Sequence, residues 1–196
     1  MEKYTVKKLN KKNNINASVP GSKSITNRAL MLAAMSDGIC TLNGVLFSSD
    51  SRAFLDCLIS LGFSVQIDEE SAKVVIKGEN GRIPNRKATI NVQSAGTAAR
   101  FMTVFLAVAG GDYTLQSSEQ MKKRPMSELL GRLTAKGVEI KCLEEEGHFP
   151  FEIHSKGIKS GSIKIDTTTS SQYASALLMA SVMNGMNVEL TGSRVD

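Results

Sequence analysis

Residues 20–28 of the sequence, PGSKSITNR, combine two cations with several hydroxyls directly after a predicted strand. Proline and glycine end the strand, and an apolar run typical of a helix follows. Ser22 or Ser24 can cap that helix, because a short hydroxyl accepts a hydrogen bond from a free backbone N–H. A helix N-terminus that carries Lys23 and Arg28 would attract anions. The alternative is an ordinary capped helix with two solvated cations.

The same pattern returns twice along the chain. An offset of 73 residues relates Val19 to Val92 and Val92 to Ile165, and each lies in a short alternating stretch typical of a strand. A turn of small residues and then an apolar helix follow each stretch. Such self-similarity predicts a repeated supersecondary unit.

The repeats predict the fold class and the division of the chain. We expect three units, at about residues 15–80, 86–156 and 160–196, of which the third stops after strand, helix and strand. The order within a unit is βαβαββ, and the second helix of the middle unit would begin near Pro125. The first helix of each unit is apolar on nearly all sides, which predicts burial. Residues 1–14 are predicted to form a strand and a polar linker. The class is therefore α/β (α+β), with repeated units packed around buried parallel helices and a third repeat that is truncated.

Composition narrows the classes of function. The 196 residues are 41% hydrophobic, which is enough for a core, and no apolar run reaches the roughly 18 residues of a membrane span. The formal charge is +5, but aromatic content is only 5% and Trp is absent, so no stacking platform for nucleic acid is indicated. We expect small anions as partners. Cys40, Cys57 and Cys142 lack metal-ligand spacing and are interpreted as free thiols in a reducing cytoplasm.

Four stretches resemble the signatures of the 5-enolpyruvylshikimate-3-phosphate synthase family. In order they are residues 20–28 (PGSKSITNR), 95–100 (AGTAAR), 122–126 (KKRPM) and 170–178 (SSQYASALL). The family fold has two domains, each of three βαβαββ units, and members are about twice as long as this chain. The resemblance therefore implies an N-terminal half whose partner is a C-terminal domain.

The resemblance also implies a reaction and a set of site residues. Members transfer the enolpyruvyl group of phosphoenolpyruvate to the 5-hydroxyl of shikimate 3-phosphate and release phosphate, with no metal and no cofactor. By this resemblance Lys23 is catalytic and bridges both substrates, while Gly96 and Arg124 line the phosphoenolpyruvate site. The residues implied for shikimate 3-phosphate are Lys23, Ser24, Arg28, Ser170, Ser171 and Gln172.

Elementary chemistry agrees with those roles. Arginine forks bind oxyanions through two hydrogen bonds, and lysine acts as a point charge. A glycine at position 96 would let backbone amides reach the ligand. Each residue taken alone also fits a structural role, as a helix cap, a packing glycine or a solvated cation.

Ser94 departs from the family pattern, in which Asn is frequent. The resemblance also implies that the family's main acid/base carboxylates lie in the second domain. We therefore expect weak binding and no turnover from this chain alone.

Two other functions stay open. The sister enzyme, UDP-N-acetylglucosamine enolpyruvyl transferase, shares fold and chemistry. Its members carry a reactive Cys in the loop that corresponds to residues 117–124, and Asn where Ser24 stands; this chain has neither. A non-catalytic anion- or RNA-binding module on the same repeats is favoured only by the basic charge. We expect a monomeric, cytoplasmic enzyme domain that binds neither nucleic acid nor membrane.

Overall fold

The computed structural model describes residues 20–192. Within that range the chain forms six helices and nine strands. They are α1 Lys23–Met35, β1 Asp37–Asn43, α2 Ser49–Ser60, β2 Val65–Asp68, β3 Lys73–Glu79, β4 Lys87–Asn91, α3 Gly96–Ala109, β5 Gly111–Gln116, α4 Glu119–Lys122, α5 Ser127–Thr134, β6 Glu139–Cys142, β7 Phe151–Ser155, β8 Ser162–Asp166, α6 Ser171–Asn184 and β9 Asn187–Thr191. The predictions for residues 1–14 and for the first strand, 15–19, fall outside the described residues, as do residues 193–196.

The described strands form three sheets, with orders β1-β3-β2, β4-β5-β7-β6 and β8-β9. In each of the first two sheets one strand is paired antiparallel on both sides: β3 lies between β1 and β2, and β7 lies between β5 and β6. β4 runs parallel to β5, and β8 runs parallel to β9. A helix joins each parallel pair, as a parallel connection requires. This arrangement confirms the predicted mixed α/β (α+β) class.

The spacing of the units differs in part from the sequence prediction. α1 and α3 begin 73 residues apart, at Lys23 and Gly96, as predicted. α3 and α6, however, begin 75 residues apart, at Gly96 and Ser171, and β4 and β8 show the same 75-residue spacing. The offset of 73 was therefore wrong for the third unit. Side chains of a strand alternate with a period of two, so a shift of two residues keeps every apolar residue on the same face.

The burial of the three long apolar helices is unequal. In α3 every residue except Ala109 is buried, because this helix packs against α1, α2, α6 and the sheet strand β7. α1 leaves Leu32 44% exposed, and α6 leaves Leu178 48% and Val182 79% exposed. The prediction that all three helices are buried was therefore wrong for α1 and α6. An apolar sequence indicates that a helix can be buried, but it does not specify which sides are covered.

The ends of the helices follow their capping residues. Ser22 caps α1, Ser48 caps α2 in a reciprocal pair with Ser51, and Ser170 caps α6. These hydroxyls accept bonds from backbone N–H groups that have no partner inside the helix. The second helix of the middle unit, α5, begins at Ser127, two residues after Pro125, and the short helix α4 before it was not predicted.

Candidate anion-binding site

The first turn of α1 carries Lys23 and Ser24, and both side chains point toward solvent. Ser22 accepts a hydrogen bond from the N–H of Ile25 at 3.4 Å, so it is the cap that the sequence left open between Ser22 and Ser24. Lys23 Nζ lies 3.3 Å from a carboxylate oxygen of Asp50, in the first turn of α2. The carboxylate is only 20% exposed, whereas the Lys23 side chain is 49% exposed. The carboxylate of Asp50 therefore holds the Lys23 side chain at the start of α1.

Arg28, one turn further along α1, connects three helices. Its guanidinium donates hydrogen bonds to the carbonyl of Ser24 at 3.1 Å and to Oγ of Ser175 in α6 at 2.9 Å. The same group lies 5.7 Å from the centre of the Phe101 ring in α3. A cation over an aromatic face is attracted by the ring electrons. These contacts place the N-terminal parts of α1, α3 and α6 on one side of the fold.

Gly96 begins α3 at a point where three polar side chains converge. A Cβ added to Gly96 would lie 2.9 Å from Nη1 of Arg124, 3.0 Å from Nη1 of Arg100 and 3.7 Å from Oε1 of Gln172. Residue 95 is alanine, so α3 begins without a side-chain cap. Its first backbone N–H groups are therefore available to another acceptor. Unlike α1 and α6, α3 thus presents amide donors beside two guanidinium groups.

Arg100 is 6% exposed although it carries a charge. Its Nη1 donates to the carbonyl of Gly96 at 3.1 Å and contacts Sδ of Met121 at 3.6 Å, while its Nε has no partner. Burial lowers the pKa of this guanidinium, the nearby Tyr173 raises it, and the charge of Arg124 lowers it further. Arginine nevertheless stays protonated in proteins.

The first turn of α6 holds the three residues predicted for phosphate and ring binding. Ser170 accepts a hydrogen bond from the N–H of Gln172 at 3.2 Å and caps the helix, which is the structural role that the sequence allowed. Ser171 is exposed as the first helical residue. The Gln172 side-chain amide donates to Oγ1 of Thr97 at 3.4 Å, which links the starts of α6 and α3.

The structure brings some of the predicted residues into contact and not others. Gly96, Arg124 and Gln172 meet at the start of α3, and Ser170 and Ser171 directly precede Gln172 in the sequence. Arg28 reaches α6 one turn further on. Within residues 20–192, Lys23 forms an ion pair with Asp50 and makes no hydrogen bond or ion pair with the other predicted residues. The binding role of each residue stays a prediction.

Sequence analysis missed several members of this cluster. Arg100 and Thr97 belong to a stretch that the resemblance quoted, and an arginine inside an apolar helix run was a signal that could have singled out Arg100. Asp50 follows two serines in a stretch typical of a helix cap, and nothing in the sequence pointed to its ion pair with Lys23. Ser94, which departs from the family pattern, shares a hydrogen bond of 2.7 Å with Ser118, the cap of α4. It therefore connects the turn before α3 to the segment that carries Arg124.

The described residues also bear on metals and membranes. No group of three or more His, Cys, Asp or Glu side chains between residues 20 and 192 is arranged to hold a metal ion. Over the same residues, none of the helices has the length and apolar character to cross a bilayer.

Comparison with known proteins identifies the family. The model of the family described as EPSP synthase (3-phosphoshikimate 1-carboxyvinyltransferase) matches residues 9–196. The 3-phosphoshikimate 1-carboxyvinyltransferase of Opitutus terrae is 41% identical over 177 residues, which are 89% of this chain and 41% of that protein. The protein of the same name from Trichormus variabilis is 35% identical over 197 residues, covering 100% of this chain and 46% of the relative.

A solved structure gives the same result. EPSP synthase from Acinetobacter baumannii superposes with a TM-score of 0.75 at 25% identity, over 86% of this chain and 38% of that one. The chain thus spans less than half the length of the relatives it matches. From the matched residues, the motifs and the shared fold, we conclude that the chain belongs to the EPSP synthase family.

Proposed function

We propose that this chain is the N-terminal, substrate-binding part of a 3-phosphoshikimate 1-carboxyvinyltransferase. The proposed reaction transfers the enolpyruvyl group of phosphoenolpyruvate to the 5-hydroxyl of shikimate 3-phosphate and releases phosphate. The relatives that cover most of this chain bear the name of that activity. In this proposal residues 15–196 form the N-terminal domain, residues 1–14 pack with a second domain, and the enzyme is a cytoplasmic monomer.

The observation that carries the proposal is the uncapped start of α3 beneath two guanidinium groups. Arg124 and Arg100 both approach the space over Gly96, and none of the ion pairs within residues 20–192 involves either arginine. Free helix amides and a fork of N–H donors bind phosphate and carboxylate groups well. We assign this space to phosphoenolpyruvate, with Gly96 and Arg124 as its contacts.

Shikimate 3-phosphate is assigned to the neighbouring helix starts. Ser170 and Ser171 would bind its phosphate at the start of α6, and Gln172 would contact its ring. Ser24 and Arg28 would hold it from α1. In this assignment Lys23 would bridge both substrates and act as the catalytic cation. Arg28 supports this arrangement because its bond to Ser175 already joins α1 to α6 beside the proposed phosphate position.

We further propose that the chain alone binds shikimate 3-phosphate weakly and does not turn over. Protonation of the phosphoenolpyruvate methylene and deprotonation of the hydroxyl need placed acid and base groups, each contributing about 10²–10⁴-fold. The resemblance assigns those carboxylates to the second domain. Closure of two domains would also exclude water from the site and complete its set of charges.

Calorimetric or NMR titration of the chain tests the binding half of the proposal. Separate titrations use shikimate 3-phosphate, UDP-N-acetylglucosamine and single-stranded RNA. We expect saturable binding of shikimate 3-phosphate only. Preference for UDP-N-acetylglucosamine would assign the chain to the sister enzyme instead. Binding of RNA that weakens steeply with salt, without binding of shikimate 3-phosphate, would support the non-catalytic module.

A phosphate-release assay tests the catalytic half. The chain is incubated with both substrates, alone and with the second part of a relative supplied as a separate polypeptide. We expect release only when both parts are present. Release by the chain alone would contradict the proposal that the acid and base groups lie elsewhere.

A further inference from the structure

Tyr173 is a buried polar residue that the proposed substrate contacts do not include. It lies in the first turn of α6 with no exposed surface. Its hydroxyl donates a hydrogen bond of 2.9 Å to the carbonyl of Pro125. Pro125 follows Arg124 directly and belongs to the segment between α4 and α5. Tyr173 therefore connects α6 to the backbone that carries a guanidinium over Gly96.

The other anchors of the segment around Arg124 lie outside α6, and one of them is the ion pair of Lys122 with Glu144 at 2.9 Å. On its N-terminal side, Met121 contacts the buried Arg100 at 3.6 Å and accepts the backbone bond of Arg124 at 3.0 Å. On its C-terminal side, the N–H of Met126 donates to the carbonyl of Gly147 at 2.8 Å. The hydrogen bond from Tyr173 in α6 is made to the carbonyl of Pro125, the residue directly after Arg124. Without it, this carbonyl would be left without its buried donor.

The phenol is suited to a permanent hydrogen bond. Burial raises its pKa, and Arg100 only partly counteracts that effect, so the hydroxyl stays protonated and donates at neutral pH. A tyrosine ring has only two side-chain torsions, so a buried ring holds its hydroxyl in a fixed position. The Pro125 ring also restricts the backbone on the acceptor side.

We propose that Tyr173 is a positioning residue that holds Arg124 over Gly96 by fixing the carbonyl of Pro125. This inference rests on the proposed function, because it assigns the positioned guanidinium to the phosphoenolpyruvate space. It adds a residue that touches neither substrate. It also explains why an exposed arginine in a loop can lie close to the start of α3: one side of its backbone is bonded to the helix that packs against α3.

The test compares Tyr173→Phe with Tyr113→Phe. Tyr113 is a similarly buried tyrosine whose hydroxyl donates to the carbonyl of Gly110 at 3.1 Å, and neither residue belongs to the segment 121–126. Both variants remove one buried phenol hydrogen bond and keep the ring, so a general loss of stability affects both. Circular dichroism verifies that each variant is folded.

Two readouts are measured on both variants and on the wild type. The first is amide hydrogen exchange of residues 121–124 and 126, which needs no ligand; Pro125 has no N–H. We expect exchange to accelerate roughly five-fold or more in Tyr173→Phe, since a lost hydrogen bond is typically worth a factor of that order. We expect no change in Tyr113→Phe.

The second readout is the affinity for phosphoenolpyruvate in the presence of shikimate 3-phosphate. We expect this affinity to fall about five-fold in Tyr173→Phe and to stay unchanged in Tyr113→Phe. The affinity for shikimate 3-phosphate itself should not change.

The outcomes separate this inference from the proposed function. Equal exchange in the two variants would overturn the inference, whatever the ligands do. Faster exchange with unchanged phosphoenolpyruvate affinity would overturn it as well, because the anchored segment would then not matter for binding. Absence of binding of either substrate to the wild type would overturn the proposed function, and faster exchange in Tyr173→Phe would still support the anchor.

Discussion

The site has two cationic regions that are built differently. At the start of α1, Lys23 is half exposed and forms an ion pair with Asp50. At the start of α3, Arg100 is buried and Arg124 lies beside it, and neither forms an ion pair with a described carboxylate. One region thus contains its own counter-charge, whereas the other presents cations and uncapped helix amides.

Because of this difference, we expect the two regions to contribute differently to the binding of an anion. The ion pair orients Lys23 before any ligand arrives, but a ligand must share the cation with Asp50. Arg100 and Arg124 repel each other, and Arg100 is shielded from water, so an incoming anion gains the attraction of two cations without a counter-charge. We therefore expect the α3 region to dominate affinity and the α1 region to adjust it. Three substitutions test that ranking, in order of expected effect.

The largest effect is expected for Gly96→Ala. The new methyl would lie within 3.0 Å of both Arg124 and Arg100, so at least one guanidinium must move. The guanidinium groups are the flexible ends of long side chains, so the fold itself should lose little stability, but a displaced guanidinium no longer holds the anion. Loss of a hydrogen bond to a charged group costs up to about 3 kcal/mol, so the affinity for phosphoenolpyruvate should fall roughly 100-fold. Shikimate 3-phosphate, assigned to α1 and α6, should lose much less. Titration calorimetry with each substrate measures both losses.

Gly131→Ala is the matched control, because a methyl there meets nothing within 4 Å in the interior of α5. It should leave both affinities unchanged and raise the free energy of unfolding in urea by up to about 1 kcal/mol, the usual advantage of alanine over glycine in a helix. Equal losses for the two substrates in Gly96→Ala would mean that the turn is damaged in general. The difference between the two regions would then lose its main support.

An intermediate effect is expected for Arg28→Ala. The change removes the bond to Ser175, the contact with the Phe101 ring and a cation assigned to shikimate 3-phosphate. Loss of charge-assisted bonds of this kind typically costs about 2 kcal/mol, so affinity for shikimate 3-phosphate should fall roughly 30-fold. NMR titration of wild type and variant gives the ratio.

Arg52→Ala provides a control of similar chemistry. Arg52 also lies over a phenylalanine ring, that of Phe47, at 5.6 Å, but its guanidinium is paired with Glu69. It is not among the residues assigned to substrates, so its removal should leave the affinity for shikimate 3-phosphate within two-fold of wild type. A similar loss in both variants would show that net charge, not position, governs binding.

The smallest effect is expected for Asp50→Asn. Removal of this carboxylate frees Lys23 and removes a repulsive charge, so affinity for shikimate 3-phosphate should rise about three-fold, in line with the worth of a partly exposed ion pair. Asp56→Asn, on the exposed side of the same helix, should have no effect. Calorimetry at low ionic strength resolves such a difference best, since salt screens exposed charges. A decrease in Asp50→Asn would show that orientation of Lys23 outweighs the repulsion.

The sequence predicted the parts of this site that depend on local chemistry. Caps at Ser22 and Ser170 follow from the hydrogen bonds that a hydroxyl offers to a helix end, and the four motifs led to the correct family. Contacts between residues that are distant along the chain could not be predicted from the sequence. The bond from Tyr173 to Pro125 joins residues 48 positions apart, and nothing in the local pattern of either residue marks the partner. The 75-residue spacing of α3 and α6 was missed because a two-residue shift preserves strand alternation.

The burial of Arg100 has a consequence for how this protein behaves on heating. Its charge is removed from water without a described carboxylate, and its Nε has no partner, so the unliganded fold carries an unfavourable solvation energy. An anion bound beside it would offset part of that energy only in the folded state. A ligand at a hundred times its Kd stabilises a fold by about 2.7 kcal/mol. The melting temperature should therefore depend on the buffer anion and be higher in phosphate than in chloride at equal ionic strength.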